Sequence, residues 1–210
     1  MARNKKSVPL GSGRCYVAEL TEGMSLMAAD LVALCTDENL LGETKNGATL
    51  TYTASVHKEQ DDHGVLIREI TTKEEAKLKL GVFSWCLDTL NLLAATARKV
   101  KEGEYDVLKL GGLNNDNGTS YVVVFKHIDP KLGNLYVAIV GTNTAGLILA
   151  FARDNTTKLD PEFTALPCDD EGTLIKMFEA LPAANAQNSG DQSGTGTDDQ
   201  SGDGIDEQTA

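Results

Sequence analysis

The chain has 210 residues, with 19 Lys and Arg set against 31 Asp and Glu for a formal net charge of −12. That length suits one domain with its own core, and that charge opposes holding nucleic acid by neutralising phosphates. The longest uncharged apolar runs, Leu135 to Val140 and Ala145 to Ala152, fall far short of the roughly 20 residues of a bilayer-spanning helix, so a soluble protein with no membrane partner is expected.

Met1 to Ser7 carries Arg3, Lys5 and Lys6 but runs into Gly11-Ser12-Gly13-Arg14 instead of an apolar stretch, so no export signal is read. Cys15, Cys35, Cys86 and Cys168 are far apart and form no C-x-x-C pair, which points to free thiols in a reducing compartment. The segment Thr21 to Lys45 carries Met24, Leu26, Met27, Leu31, Val32, Leu34, Leu40 and Leu41 without a regular period. A connection so long and so apolar is unusual. It holds either a short helix around Ala28 to Leu34 or a surface that orders against a partner.

From Leu50 the signal is period two: Leu50, Tyr52, Ala54 and Val56 alternate with Thr49, Thr51, Thr53 and Ser55, as in a half-buried strand introduced by Asn46-Gly47. Val65 to Ile70, after the turn Asp61-Asp62-His63-Gly64, completes a hairpin. Thr72-Lys73-Glu74-Glu75 matches a helix capping box, but Ala76, Leu78, Leu80 and Val82 alternate with Lys77, Lys79 and Gly81, and four alternations favour a strand. A helix is expected from Ser84. Its packing face is Trp85, Cys86, Leu90, Leu93 and Ala97; Arg98, Lys99 and Lys101 lie near its far end and Gly103 stops it.

Strands follow at Tyr105 to Leu110, Ser120 to Ile128, Asn134 to Val140, Gly146 to Arg153 and Glu162 to Leu166, with a helix-like stretch from Thr173 to Ala180. Tyr121 to Phe125 and Leu135 to Val140 are apolar on consecutive residues, which implies strands covered on both faces. Residues 1–182 therefore read as one mainly β domain, and 183–210 as a disordered tail. The tail has five Gly, six acids, no base and no aromatic residue, too little apolar surface to offset ordering entropy.

The chemistry of known enzyme motifs is not visible. His57, His63 and His127 sit at unrelated places, and Asp61, Asp62 and His63 suit a solvated turn better than a metal or acid-base site. Gly11-Ser12-Gly13 lacks the third glycine of a dinucleotide fingerprint, no P-loop or nucleophile elbow occurs, and Asp169-Asp170-Glu171-Gly172 lacks the acid spacing of a calcium loop. No cofactor, metal or catalytic residue is expected. A self-associating structural subunit fits what remains.

Taken in order, Val8-Pro9-Leu10-Gly11-Ser12-Gly13-Arg14-Cys15-Tyr16-Val17, Glu38 to Thr49, Asp61-Asp62-His63-Gly64, Glu74 to Lys79, Trp85 to Leu90, Phe163 to Pro167 and Glu171 to Ile175 resemble a major tail tube protein of a long-tailed bacteriophage or a related phage-tail-like particle. The resemblance covers about residues 8 to 180. It implies a β-sandwich or barrel with one flanking α-helix, assembling into hexameric rings that stack into the tube for genome delivery. Implied partners are further copies of the chain, a tape measure protein in the lumen, tail terminator and baseplate or tip proteins at the ends, and, in a contractile tail, a sheath. DNA would pass through without specific binding, and the chain would belong to the virion after assembly in the bacterial cytoplasm. By position, Thr21 to Lys45 matches the family's inter-ring stacking loop, with Met24, Leu26, Leu31, Leu34, Leu40 and Leu41 as its contacts. Glu59, Asp61, Asp62 and Glu69 are the candidates for acidic residues facing the lumen, where they would repel phosphates; an outward orientation is the alternative. A secretion-system tube or a capsid or head decoration protein is a competing structural reading, and an enzyme or small-ligand binder with an unrecognised site is a third.

Overall fold

The computed structural model describes residues 13–129, 133–151, 153 and 157–180. The opening Val8 to Ser12 and the tail 183–210 lie outside the described residues. Among the described residues, nine strands and two short α-helices follow in order: β1 (Gly13–Glu19), α1 (Ala28–Ala33), β2 (Leu40–Gln60), β3 (Leu66–Val82), α2 (Leu87–Leu93), β4 (Arg98–Glu102), β5 (Tyr105–Lys109), β6 (Tyr121–His127), β7 (Asn134–Asn143), β8 (Glu162–Leu166) and β9 (Lys176–Ala180). The chain is mainly β, as its alternation indicates.

Seven strands form one antiparallel sheet in the order β6-β1-β2-β3-β8-β7-β9, and β6 also pairs with β7. The hydrogen bonding therefore runs β6-β1-β2-β3-β8-β7 and returns to β6. Strand β7 is the pivot. One edge takes β6 from Tyr121↔Gly141 to His127↔Leu135, while the other takes β8 at Val140–Asn143 and β9 at Asn134–Ala138.

Consecutive apolar residues on β6 and β7 serve two cores, as period two requires. Val123, Phe125, Val137 and Ile139 join Cys15, Val17, Leu78, Leu80, Val82 and Phe163 on one face, closed over by Leu90 and Leu93 of α2. Val122, Val124, Ala138 and Val140 point the other way and pack with Tyr16, Tyr136 and Leu31 of α1. Tyr136 and Phe178 stack there at 5.0 Å with nearly parallel rings. The expectation of strands covered on both faces holds, with segment 21–41 supplying much of the second cover.

Four expectations are corrected. The helix expected from Ser84 runs only from Leu87 to Leu93, because Cys86 and Ala94 are extended and Arg98–Glu102 pairs with Tyr105–Lys109 across Gly103-Glu104. Val100 opposite Val107 is a better arrangement for β-branched residues than a fifth helical turn. Gly103, at φ 63°, opens that hairpin instead of stopping a helix. The helix-like stretch Thr173 to Ala180 contains strand β9, which occupies the part of the β7 edge that β8 leaves open. Residues 146–151 form no strand, because both edges of β7 are already taken. Finally, one flanking helix was expected and two are present, α1 lying where the short helix in the Thr21 to Lys45 segment was expected. Among the described residues, no helix is long and apolar enough to cross a membrane.

Candidate functional site

The most prominent surface feature is the hairpin of β2 and β3. Beyond Leu50 and Ala76 its strands leave the core, and residues 51–65 and 68–74 are exposed. With about ten residues per strand at roughly 3.3 Å each, the ribbon extends some 30 Å from the body. The half-burial expected for Tyr52, Ala54 and Val56 is therefore corrected: Tyr52 is 53% and Val56 42% exposed. Period two correctly reports a strand but cannot report whether anything lies above it.

Both edges of this arm are open. Strand β1 pairs with β2 only between Leu40 and Glu43, and β8 pairs with β3 only between Lys77 and Lys79. Past those points the described residues offer neither edge a further strand. Side chains brace the ribbon instead: the Tyr52 hydroxyl donates to Glu74 Oε1 at 2.6 Å, Lys58 meets Glu69 at 3.4 Å, and Glu75 lies between Lys73 and Lys77 at 3.2 and 3.1 Å. The hydrogen bonds from Lys77 and Lys73 hold the Glu75 carboxyl below its ordinary range, and the bond to Glu74 raises the Tyr52 phenol. Exposed pairs of this kind are screened by solvent and salt and add little to the stability of the ribbon.

The four acidic candidates all lie on this arm. Asp61 builds the turn: its Oδ1 accepts the backbone N–H groups of His63 at 3.0 Å and Val65 at 2.7 Å. Glu59 pairs with His57 at 2.7 Å and Glu69 with Lys58, whereas Asp62 stands exposed at the tip. They are brought together at one end of the molecule.

The apolar residues of Thr21 to Lys45 are placed differently from the expected stacking surface. Leu31 is 1% and Leu41 5% exposed, both inside the chain's own cores, and Met24, Leu26, Leu34 and Leu40 pack against the second core. Lys176 Nζ contacts the Leu26 carbonyl at 3.5 Å, tying the segment to β9. The exposed apolar side chains here are Met27 at 72% and Val32 at 38%. The physical reason is that Val122, Val124, Ala138 and Val140 present an apolar face that needs a cover, and this segment supplies it.

On the helix face, Leu90 and Leu93 are buried and Trp85 packs against the same core, its Nε1 donating to the Thr157 carbonyl at 3.3 Å. Cys86 is the exception. It is exposed at the N-cap of α2, where the backbone N–H and the Thr89 hydroxyl meet at 3.4 Å, and the hydrogen bonds from Thr89 lower its thiol pKa. All four cysteines are free; burial pushes Cys15, Cys35 and Cys168 upward. Among the described residues no group of three His, Cys, Asp or Glu is placed to hold a metal ion.

The feature that reading by sequence missed is the arm's exposure. A signal for it exists: polar residues occupy both faces, with Glu74 beside Tyr52 and Lys58 beside Glu69 on one, and Thr51, Thr53, Lys73 and Glu75 on the other. Comparison with protein-family models and with curated proteins gives no match for the chain.

Proposed function

We propose that this chain is the structural subunit of a phage-type tail tube, polymerising as stacked hexameric rings around a tape measure protein into a conduit through which DNA passes. The observation that carries the reading is the β2–β3 arm, whose two faces are exposed and whose two edges, among the described residues, lack strand partners beyond the body. A two-stranded ribbon is marginal by itself in water, and open edges are templates for pairing with another chain. Neighbouring copies that add strands to these edges satisfy the backbone groups and fix the spacing between subunits.

The closed circuit of pairings supports a small barrel filled by the Val123 and Phe163 core, a rigid body from which an arm can be held out. In this reading the segment 21–41 is a cover of the subunit's own sheet, and Met27 and Val32 are what it offers to a neighbour. The acidic residues of the arm serve the conduit by repelling phosphates if the arm lines the bore.

The test is negative-stain electron microscopy of the purified full chain across concentration and salt, with size-exclusion chromatography of the same samples. Hollow tubes or six-fold rings are the expected result. A monodisperse monomer under every condition, including in the presence of a co-expressed tape measure protein, overturns the proposal.

A further inference from the structure

At the root of the arm lies a cleft of about 480 Å³, whose lining includes Lys45, Lys158, Asp160 and Ile148. Leu93 of α2 and Leu159, both buried, give it an apolar floor, and Ile148 in its lining is 77% exposed. Among the described residues neither lysine has a carboxylate within ion-pair distance, so the lining carries two cations and one aspartate over apolar surface. That combination suits a short acidic peptide with one apolar side chain: the side chain covers the floor, and the flanking carboxylates meet the ammonium groups.

The chain's own C-terminal segment has that chemistry. Residues 183–210 carry six acids and no base, and Ile205 is their one large apolar side chain, set within Asp203-Gly204-Ile205-Asp206-Glu207. Length permits the contact within one copy. Strand β9 ends with Ala180 opposite Asn134, and the ten residues of β7 lead from Asn134 to Asn143, just short of the cleft lining at Ala145. At roughly 3.3 Å per residue the cleft lies roughly 35 Å from Ala180. The chain between Ala180 and Ile205 spans roughly 25–30 Å as a random coil and roughly 80 Å when extended. Asp191 reaches the cleft only at full stretch, and Asp198-Asp199 lies between Thr197 and Gln200 with no apolar neighbour. We propose that segment 203–207 seats in the cleft of its own chain, with Ile205 over Leu93 and Leu159 and the three carboxylates toward Lys45 and Lys158. Tethering supplies the local concentration that so small a contact needs, and the segment orders only on docking, which fits a composition that forms no core by itself. The contact belongs to the single subunit; it goes beyond the tube reading and does not depend on it.

Zero-length carbodiimide cross-linking of the full chain tests it, on an equal mixture of isotopically light and heavy protein at micromolar concentration, with the joined peptides mapped by mass spectrometry. Amide bonds from Asp203, Asp206 or Glu207 to Lys45 or Lys158 are expected, each joining peptides of one isotope. Their yield is expected to exceed by about tenfold or more that at Lys101, an exposed lysine of β4 with no ion pair among the described residues. Ile205→Ser, which lies outside the folded body and keeps every charge, lowers the yield about threefold or more, and high salt lowers it as well. Equal yields at Lys45, Lys158 and Lys101, or a yield that Ile205→Ser leaves unchanged, overturn the proposal. Joined peptides of mixed isotope assign the segment to a second copy, and links to Lys5 or Lys6 in place of the cleft lysines assign it to the N-terminal bases; either result also overturns it. None of these readouts requires tubes to form, so a failure here leaves the tube reading standing, and a failure of that reading leaves this contact to be judged by its own yields.

Discussion

Replacing Leu31 by alanine separates two roles for the segment between β1 and β2. Leu31 is 1% exposed and is the buried residue of α1, a helix of six residues. A helix so short has no stability of its own and is held by the side chain it buries. Truncating a fully buried leucine costs about 2–5 kcal/mol, the transfer term plus the cavity left between α1 and the β6–β7 face. At about 3 kcal/mol, and about 2–4 °C per kcal/mol for a body of this size, the Tm falls by about 6–12 °C. The exposed neighbour supplies the control: Met27→Asp removes no core contact, and its folding stability stays within about 0.5 kcal/mol of wild type. Thermal and urea denaturation of subunits kept below the assembly concentration measure both. A Leu31→Ala chain with unchanged Tm but lost assembly would place Leu31 on an interface between copies and refute its assignment to the second core.

Gly141→Ala drives a Cβ into the Thr164 backbone carbonyl, so β7 and β8 must separate; a loss of about 1–3 kcal/mol is expected, with hydrogen exchange rising first at the β7–β8 pairing. Spectrophotometric titration finds the Tyr52 phenol above the ordinary tyrosine value, and Glu74→Gln brings it down; an unchanged midpoint in that variant breaks the assigned cause. Because the folded pKa of Glu75 is depressed, its contribution at the arm's base is present above the unfolded carboxyl pKa and is lost as pH falls through the folded value, which NMR of the arm reads as fraying in acid. Among the four thiols Cys86 reacts first with maleimide, with a rate profile displaced toward lower pH that Thr89→Val shifts back; faster labelling of Cys168 contradicts this.

Local sequence pattern located β5, β6, β7, β8 and the β2–β3 hairpin, and the doubled apolar runs of Tyr121 to Phe125 and Leu135 to Val140 announced two cores. These features are local, since the alternation of side chains between faces follows from the pleat of a single strand. What covers each face depends on partners far away in the chain. Hence Tyr52 and Val56, which alternate like core residues, stand in solvent because none of the described elements reaches over them, while Leu31 and Leu41 are buried because an apolar sheet face lay open beneath them. The same competition for strand edges turned residues 176–180 into β9 and denied pairing to 146–151, although the latter is the more apolar segment. An edge of β7 can be paired only once, so the order in which distant strands claim it belongs to the tertiary structure. Composition and period determined that this chain is mainly β; the arm and the cleft at its root exist only once the strands have closed and left one hairpin without a place among them.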